Sequence, residues 1–79
     1  MAAPRFYVEV EADAIDKAFN DQTEVVLPPK ASHHAGRALR LRTGEEVVIF
    51  NGTGRQWRGS IRFDQDGAYV ALSAVETPA

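Results

Sequence analysis

The chain has 79 residues, a formal net charge of −2 and no cysteine. This length suits one small domain with a single core, and the lack of cysteine excludes disulfides and thiolate metal sites. No stretch approaches the roughly 20 apolar residues that span a bilayer, and the start lacks an apolar signal core, so we expect a soluble cytoplasmic protein.

The charges are unevenly distributed along the chain. Between residues 30 and 62 there are seven basic residues, six of them arginine, and two acidic ones, whereas the flanks hold nine acidic residues. Arginine's planar guanidinium suits phosphates and base edges better than the point charge of lysine. The central segment therefore favours a polyanionic partner, although a solvated polar surface is an equally good interpretation.

The first half of the chain predicts two strands and one helix. The side chains of residues 5–10 alternate between the two faces of a predicted strand, with Phe6, Val8 and Val10 facing a core. Residues 24–27 predict a second strand, which ends at a proline pair. Residues 11–23 predict a loop or an irregular turn. Ser32 is a candidate N-cap for a helix over residues 32–41.

That helix is predicted to be two-sided. At 100° per residue one face carries Ala35, Ala38 and Leu39 toward the core, and the opposite face carries His33, Arg37 and Arg40. His34 lies at the border between the faces, so it is either packed or exposed.

The second half predicts three strands. Residues 46–50 and 56–63 flank Asn51-Gly52-Thr53-Gly54, whose composition is typical of a hairpin turn, and a last strand covers residues 69–74. Arg58 and Arg62 fall on one sheet face. Five short strands with one helix predict a mainly β fold, a small closed or half-closed antiparallel barrel, and residues 77–79 resemble the start of a linker.

The motifs with catalytic or metal-binding potential are incomplete. His33 and His34 point about 100° apart on a helix and have no third ligand of the same kind, so we expect no metal. Ser32 has no acid nearby to orient a histidine, and the glycine turn opens no helix that could bind phosphate. We therefore expect no catalytic residue in this chain.

Four segments together resemble a known family: PRFYV (4–8), SHHAGRALRLR (32–42), GEEV (44–47) and FNGTG (50–54). In this order they are similar to the N-terminal PUA-like domain of the RsmE family, the bacterial 16S rRNA uridine-N3 methyltransferases of the SPOUT superfamily. The resemblance covers nearly the whole chain. It implies a PUA-like barrel that binds RNA.

The family also has a C-terminal SPOUT domain, which binds S-adenosylmethionine and forms a homodimer. We expect residues 1–79 to be a single domain without that part, and hence a monomer that holds no cofactor and is inactive alone. The resemblance assigns RNA contact to six residues: Arg5, Tyr7, His34, Arg37, Arg40 and Arg42. Arg55 and Arg58 are candidates on charge alone.

The expected function is to bind and position 16S rRNA, free or in the small ribosomal subunit, so that a uridine reaches a catalytic site elsewhere. One alternative is a β-barrel interaction module that binds an acidic protein partner. Another is a single-strand binder, which would need more exposed aromatic residues than this chain offers.

Overall fold

The computed structural model describes residues 3–76, which form one five-stranded sheet with helices beside it. The strands are β1 (Arg5–Tyr7), β2 (Glu24–Val26), β3 (Glu46–Phe50), β4 (Gln56–Asp64) and β5 (Gly67–Glu76). The helices are α1 (Ala12–Asp21) and α2 (Pro29–His33), and α2 continues into a π-helical turn over His34–Ala38. The predicted linker at residues 77–79 lies outside the described residues.

The sheet has the strand order β1-β3-β4-β5-β2. The pairs β3–β4, β4–β5 and β5–β2 are antiparallel, whereas β1 runs parallel to β3. The mainly β class is confirmed, but the prediction of a wholly antiparallel arrangement is wrong at β1. The predicted barrel is not confirmed, because closure would need β1 to pair with β2 and residues 3–76 contain no such pairing.

The β3–β4 hairpin follows the sequence pattern. Its turn contains Gly52 at φ 84° and Gly54 at φ 88°, conformations that favour glycine. In β4 the inward residues Trp57, Gly59 and Ile61 are buried and alternate with more exposed neighbours. This hairpin therefore supplies much of the core.

Residues 12–21 form a ten-residue α-helix, so the prediction of a loop over residues 11–23 is wrong. Ile15 is fully buried, and Ala12 and Ala18 pack against the same core at helical spacing. The helix ends at Gln22, whose φ of 58° is left-handed. Small alanines make this apolar face inconspicuous in the sequence, although its period is helical.

The second helix begins three residues earlier than predicted. Pro28 is its N-cap and Pro29 its first residue, a position where proline loses no hydrogen bond. The N–H of Ser32 donates to the carbonyl of Pro28 at 2.8 Å, so Ser32 lies inside the helix and is not its cap.

The apolar face predicted for this helix is only partly correct. Ala35 is fully buried, but Ala38 is exposed and Leu39 is 42% exposed. The π-helical turn changes the angular spacing after His34, and Arg40 leaves the helix at φ 52°. Among residues 3–76, no helix is long and apolar enough to cross a membrane.

Two truncations test this assignment of the core. Ile61→Ala should lower the free energy of unfolding by roughly 2–5 kcal/mol, because it leaves a cavity beneath the sheet. Leu39→Ala should cost about 1 kcal/mol or less, since that side chain is already half exposed. Urea unfolding measures both, and a larger loss for Leu39→Ala than for Ile61→Ala would contradict the assignment.

Candidate nucleic-acid interface

The arginines around β4 are engaged in ion pairs with acidic residues that are mostly distant in sequence. Arg55 pairs with Asp16 at 2.8 Å, Arg58 with Glu46 and Glu76, and Arg62 with Glu24 at 2.7 Å and Asp64 at 3.2 Å. The neighbouring carboxylates therefore largely neutralise the positive charges of these arginines.

Asp16 connects α1 to the sheet. Its Oδ1 accepts hydrogen bonds from Trp57 Nε1 at 3.0 Å and from Arg55 at 2.9 Å. Both bonds hold the pKa of the Asp16 carboxyl below its ordinary value, and the bond from Trp57 has the larger effect. The Arg55 guanidinium also lies 5.2 Å from the centre of the Trp57 ring.

Arg62 and Arg58 also lower the pKa of the carboxyls to which they donate hydrogen bonds. Hydrogen bonds from Arg62 lower the pKa of Glu24, and bonds from Gln56 and then Arg58 lower the pKa of Glu76. Because these bonds favour the ionised carboxylates, the pairs persist at neutral pH. Arg55 and Arg58, the candidates that rested on charge alone, are thus poor sites for a phosphate.

A second set of basic side chains takes part in none of the ion pairs found among residues 3–76: Arg5, Lys30, Arg37, Arg40 and Arg42. All of them are exposed. Their charges are available to a ligand, in contrast to those around β4.

Two adjoining depressions gather most of this set. The first, which we term the β1–α2 groove, has a volume of about 690 Å³ and lies between residues 5–10 and residues 26–31. The second, the helix groove, has about 710 Å³ and follows α2 and its π-helical turn. Pro29, Lys30 and His34 line both, so the two form one continuous surface.

Four of the six residues predicted from the sequence meet on this surface. Arg5 and Tyr7 line the β1–α2 groove, Arg37 lines the helix groove, and His34 lines both. Tyr7 is 50% exposed, and its ring packs edge-on against Phe50 with centroids 5.7 Å apart. Phe50 also lies under the Arg5 guanidinium, at 4.9 Å, and so supports both side chains.

Arg40 and Arg42 are not brought to either groove. Arg40 follows the π-helical turn in a left-handed conformation, and Arg42 lies in the loop before β3, where its backbone N–H donates to the Glu45 carboxylate at 2.6 Å. Both remain exposed cations near the end of the helix rather than parts of the grooves.

Lys30 and Val26 are among the lining residues that sequence reasoning did not assign to the site. Lys30 falls in the first helical turn and lines the helix groove together with His34 and Arg37. The proline pair at 28–29 is the signal that could have placed the helix start before Lys30.

The fold and these grooves define a small, mainly β domain with exposed basic side chains around two grooves beside a short helix. Residues 27–70 match the model of the family described as the RNA methyltransferase PUA domain. This match covers more than half of the chain, and the chain belongs to that family. The resemblance drawn from the sequence is thereby confirmed.

Solved structures of methyltransferases share the fold. A putative methyltransferase from Legionella pneumophila matches 98% of this chain at 26% identity and a TM-score of 0.77. A ribosomal RNA small subunit methyltransferase E from Neisseria gonorrhoeae matches 96% at 22% identity and a TM-score of 0.73. A probable rRNA methyltransferase from Porphyromonas gingivalis matches 96% at 23% identity and a TM-score of 0.72.

The chain spans under a third of the length of these three solved proteins, between 28% and 29%. Comparison with curated proteins returned no match. The Legionella and Neisseria structures contain S-adenosylmethionine. Among residues 3–76 no polar or charged side chain is buried.

The role of Asp16 predicts how stability depends on pH. Because its pKa is lowered in the folded state, its contribution is present above the ordinary carboxyl pKa and is lost as the pH falls through the lowered value. Asp16→Asn should lower the Tm at neutral pH, yet flatten the fall of Tm between about pH 5 and pH 3.

Melting curves across this pH range measure the effect. The control is Asp66→Asn, which removes an exposed carboxylate that forms none of the ion pairs among residues 3–76 and should track the parent. An Asp16→Asn curve that runs parallel to the parent at every pH would contradict the role given to the carboxylate.

Proposed function

We propose that this chain is the RNA-binding domain of a 16S rRNA uridine-N3 methyltransferase, and that it positions the rRNA for a catalytic domain outside these residues. Membership of the RNA methyltransferase PUA domain family supports an RNA partner. The Neisseria relative, a small-subunit rRNA methyltransferase, supports the choice of 16S rRNA.

The observation that carries the proposal is the segregation of charge. The net charge of −2 alone would argue against a polyanion. Ion pairs cancel the arginines around β4, whereas the grooves beside α2 collect cations that are unpaired within residues 3–76. The positive charge that would attract a polyanion is therefore concentrated at the grooves.

Each residue of the surface has a distinct part in this proposal. Arg5, Lys30 and Arg37 contact phosphates, His34 donates or accepts hydrogen bonds where the two grooves meet, and Tyr7 offers an aromatic face to a base. Arg40 and Arg42 add phosphate contacts outside the grooves, near the end of the helix.

In functional terms the domain supplies binding energy and orientation. Holding a folded rRNA segment in register converts the encounter of a uridine with the catalytic site into an intramolecular event. Discrimination would come from RNA shape and from unstacked bases rather than from a duplex groove. Such a domain would act in the cytoplasm, as a monomer in isolation and within a homodimer in the whole enzyme.

Charge reversal in the helix groove tests the proposal. Arg37→Glu removes one attractive phosphate contact and adds a repulsive charge, so the affinity for a 16S rRNA fragment that contains the target uridine should fall roughly 10-fold or more. The slope of log K against log salt should become shallower by about 1. Titrations at several salt concentrations measure both quantities.

Lys17→Glu is the matched control, because it makes the same change of net charge on α1, outside both grooves. It should leave the affinity within about twofold of the parent. If both variants weaken binding equally, the effect is one of net charge and the site is not local. If neither RNA binding nor its salt dependence responds while an acidic protein binds the grooves, the domain is a protein-interaction module.

A further inference from the structure

The β1–α2 groove runs between two strand edges that have no strand partner among residues 3–76. Within the part of the chain that the structure describes, β1 pairs only with β3 and β2 only with β5, so each leaves one edge unoccupied. The groove is lined by residues of β1 on one wall and by the end of β2 and the start of α2 on the other.

The hydrogen bonds of β1 show which backbone groups face the groove. The N–H of Val8 donates to Phe50, and the carbonyl of Pro4 accepts from Val48, both at 2.9 Å. Residues 4, 6 and 8 thus use their backbone groups toward β3. By alternation, the N–H and C=O of Arg5 and Tyr7 point away from β3, to the unoccupied edge.

The opposite wall is arranged in the same way. The N–H of Leu27 donates to the carbonyl of Ala68 at 3.0 Å, and Val26 lies opposite Tyr69 in the register of β2 with β5. Since Leu27 faces β5, the N–H and C=O of Val26 point away from β5. Backbone donors and acceptors without strand partners therefore stand on both walls.

The side chains of the walls and the rim differ in character. Tyr7 is 50% exposed and Val26 is 61% exposed, which gives the walls an apolar surface open to a ligand. The rim carries Arg5 and Lys30, and among residues 3–76 Glu9 is the one acidic side chain that lines this groove.

We propose that the β1–α2 groove receives one unpaired nucleotide of the RNA, a refinement that rests on the proposed function. The base packs against Tyr7 and Val26, the backbone groups of these two residues bond its edge, and Arg5 and Lys30 hold the flanking phosphates. A nucleotide joins an apolar ring with hydrogen-bonding edges to negative charge, as the walls and rim require. The basic rim favours this occupant over a peptide strand.

Two RNA hairpins with the same terminal loop test the inference on the full chain. The stem of one contains a single bulged nucleotide, and the stem of the other is fully paired. The bulged hairpin should bind more tightly. Tyr7→Ala should lower the affinity for the bulged hairpin roughly 5- to 150-fold and leave the affinity for the paired hairpin within about twofold of the parent. Tyr7→Phe should keep the preference for the bulged hairpin.

A second pair of variants compares a tryptophan that fills the groove with one placed outside it. Val26→Trp introduces a large ring at an exposed wall position and should abolish the preference for the bulge. Ala71→Trp makes the same kind of change at an exposed position of β5 that does not line this groove, and should keep the preference. Thermal melts confirm that each variant folds.

The outcomes separate the two levels of the proposal. Equal binding of both hairpins, unaffected by Tyr7→Ala and Val26→Trp, would overturn the nucleotide groove and leave RNA binding standing. Binding of neither hairpin would overturn the proposed function as well. Binding of an acidic extended peptide in place of both RNAs would identify the groove as a strand-docking site.

Discussion

Long-range ion pairing around β4 determines where this domain can meet a polyanion. Arg62 reaches Glu24 on β2, and Arg55 reaches Asp16 on α1, so each arginine ties a separate element to the sheet. Exposed pairs of this kind add little to stability one by one. Their larger consequence is electrostatic, because they neutralise the most arginine-rich strand and leave the cations beside α2 as the local source of positive potential.

The topology adds a second constraint. β1 joins the sheet in parallel beside β3, while β2 lies at the far edge beside β5, and the strand order leaves a groove between β1 and the β2–α2 segment. In a closed barrel, pairing would consume the backbone groups on these edges. Here they remain available, next to the helix that carries Lys30 and Arg37. Fold and charge therefore converge on one surface.

Sequence patterns predicted well those elements whose signal lies within a few neighbouring residues. The β3–β4 hairpin shows its alternation and its glycine turn directly, and its alternation places Trp57 on the buried face. α1 was missed because its core face is built of alanines and a single Ile15, a weak period in a polar segment. The pairing of Arg62 with Glu24, 38 residues apart, follows from strand order, which single-sequence patterns do not give. Charge density alone thus made the arginines around β4 look as available as Arg37.

Amide chemical-shift mapping with a 16S rRNA hairpin locates the surface that binds RNA without altering any residue of it. We expect the shifts to saturate at 1:1 stoichiometry and to cluster in residues 5–10 and 26–37, with little change in residues 55–62 or in α1. Shifts centred on residues 55–62, or no saturable shifts at any RNA concentration, would contradict this expectation.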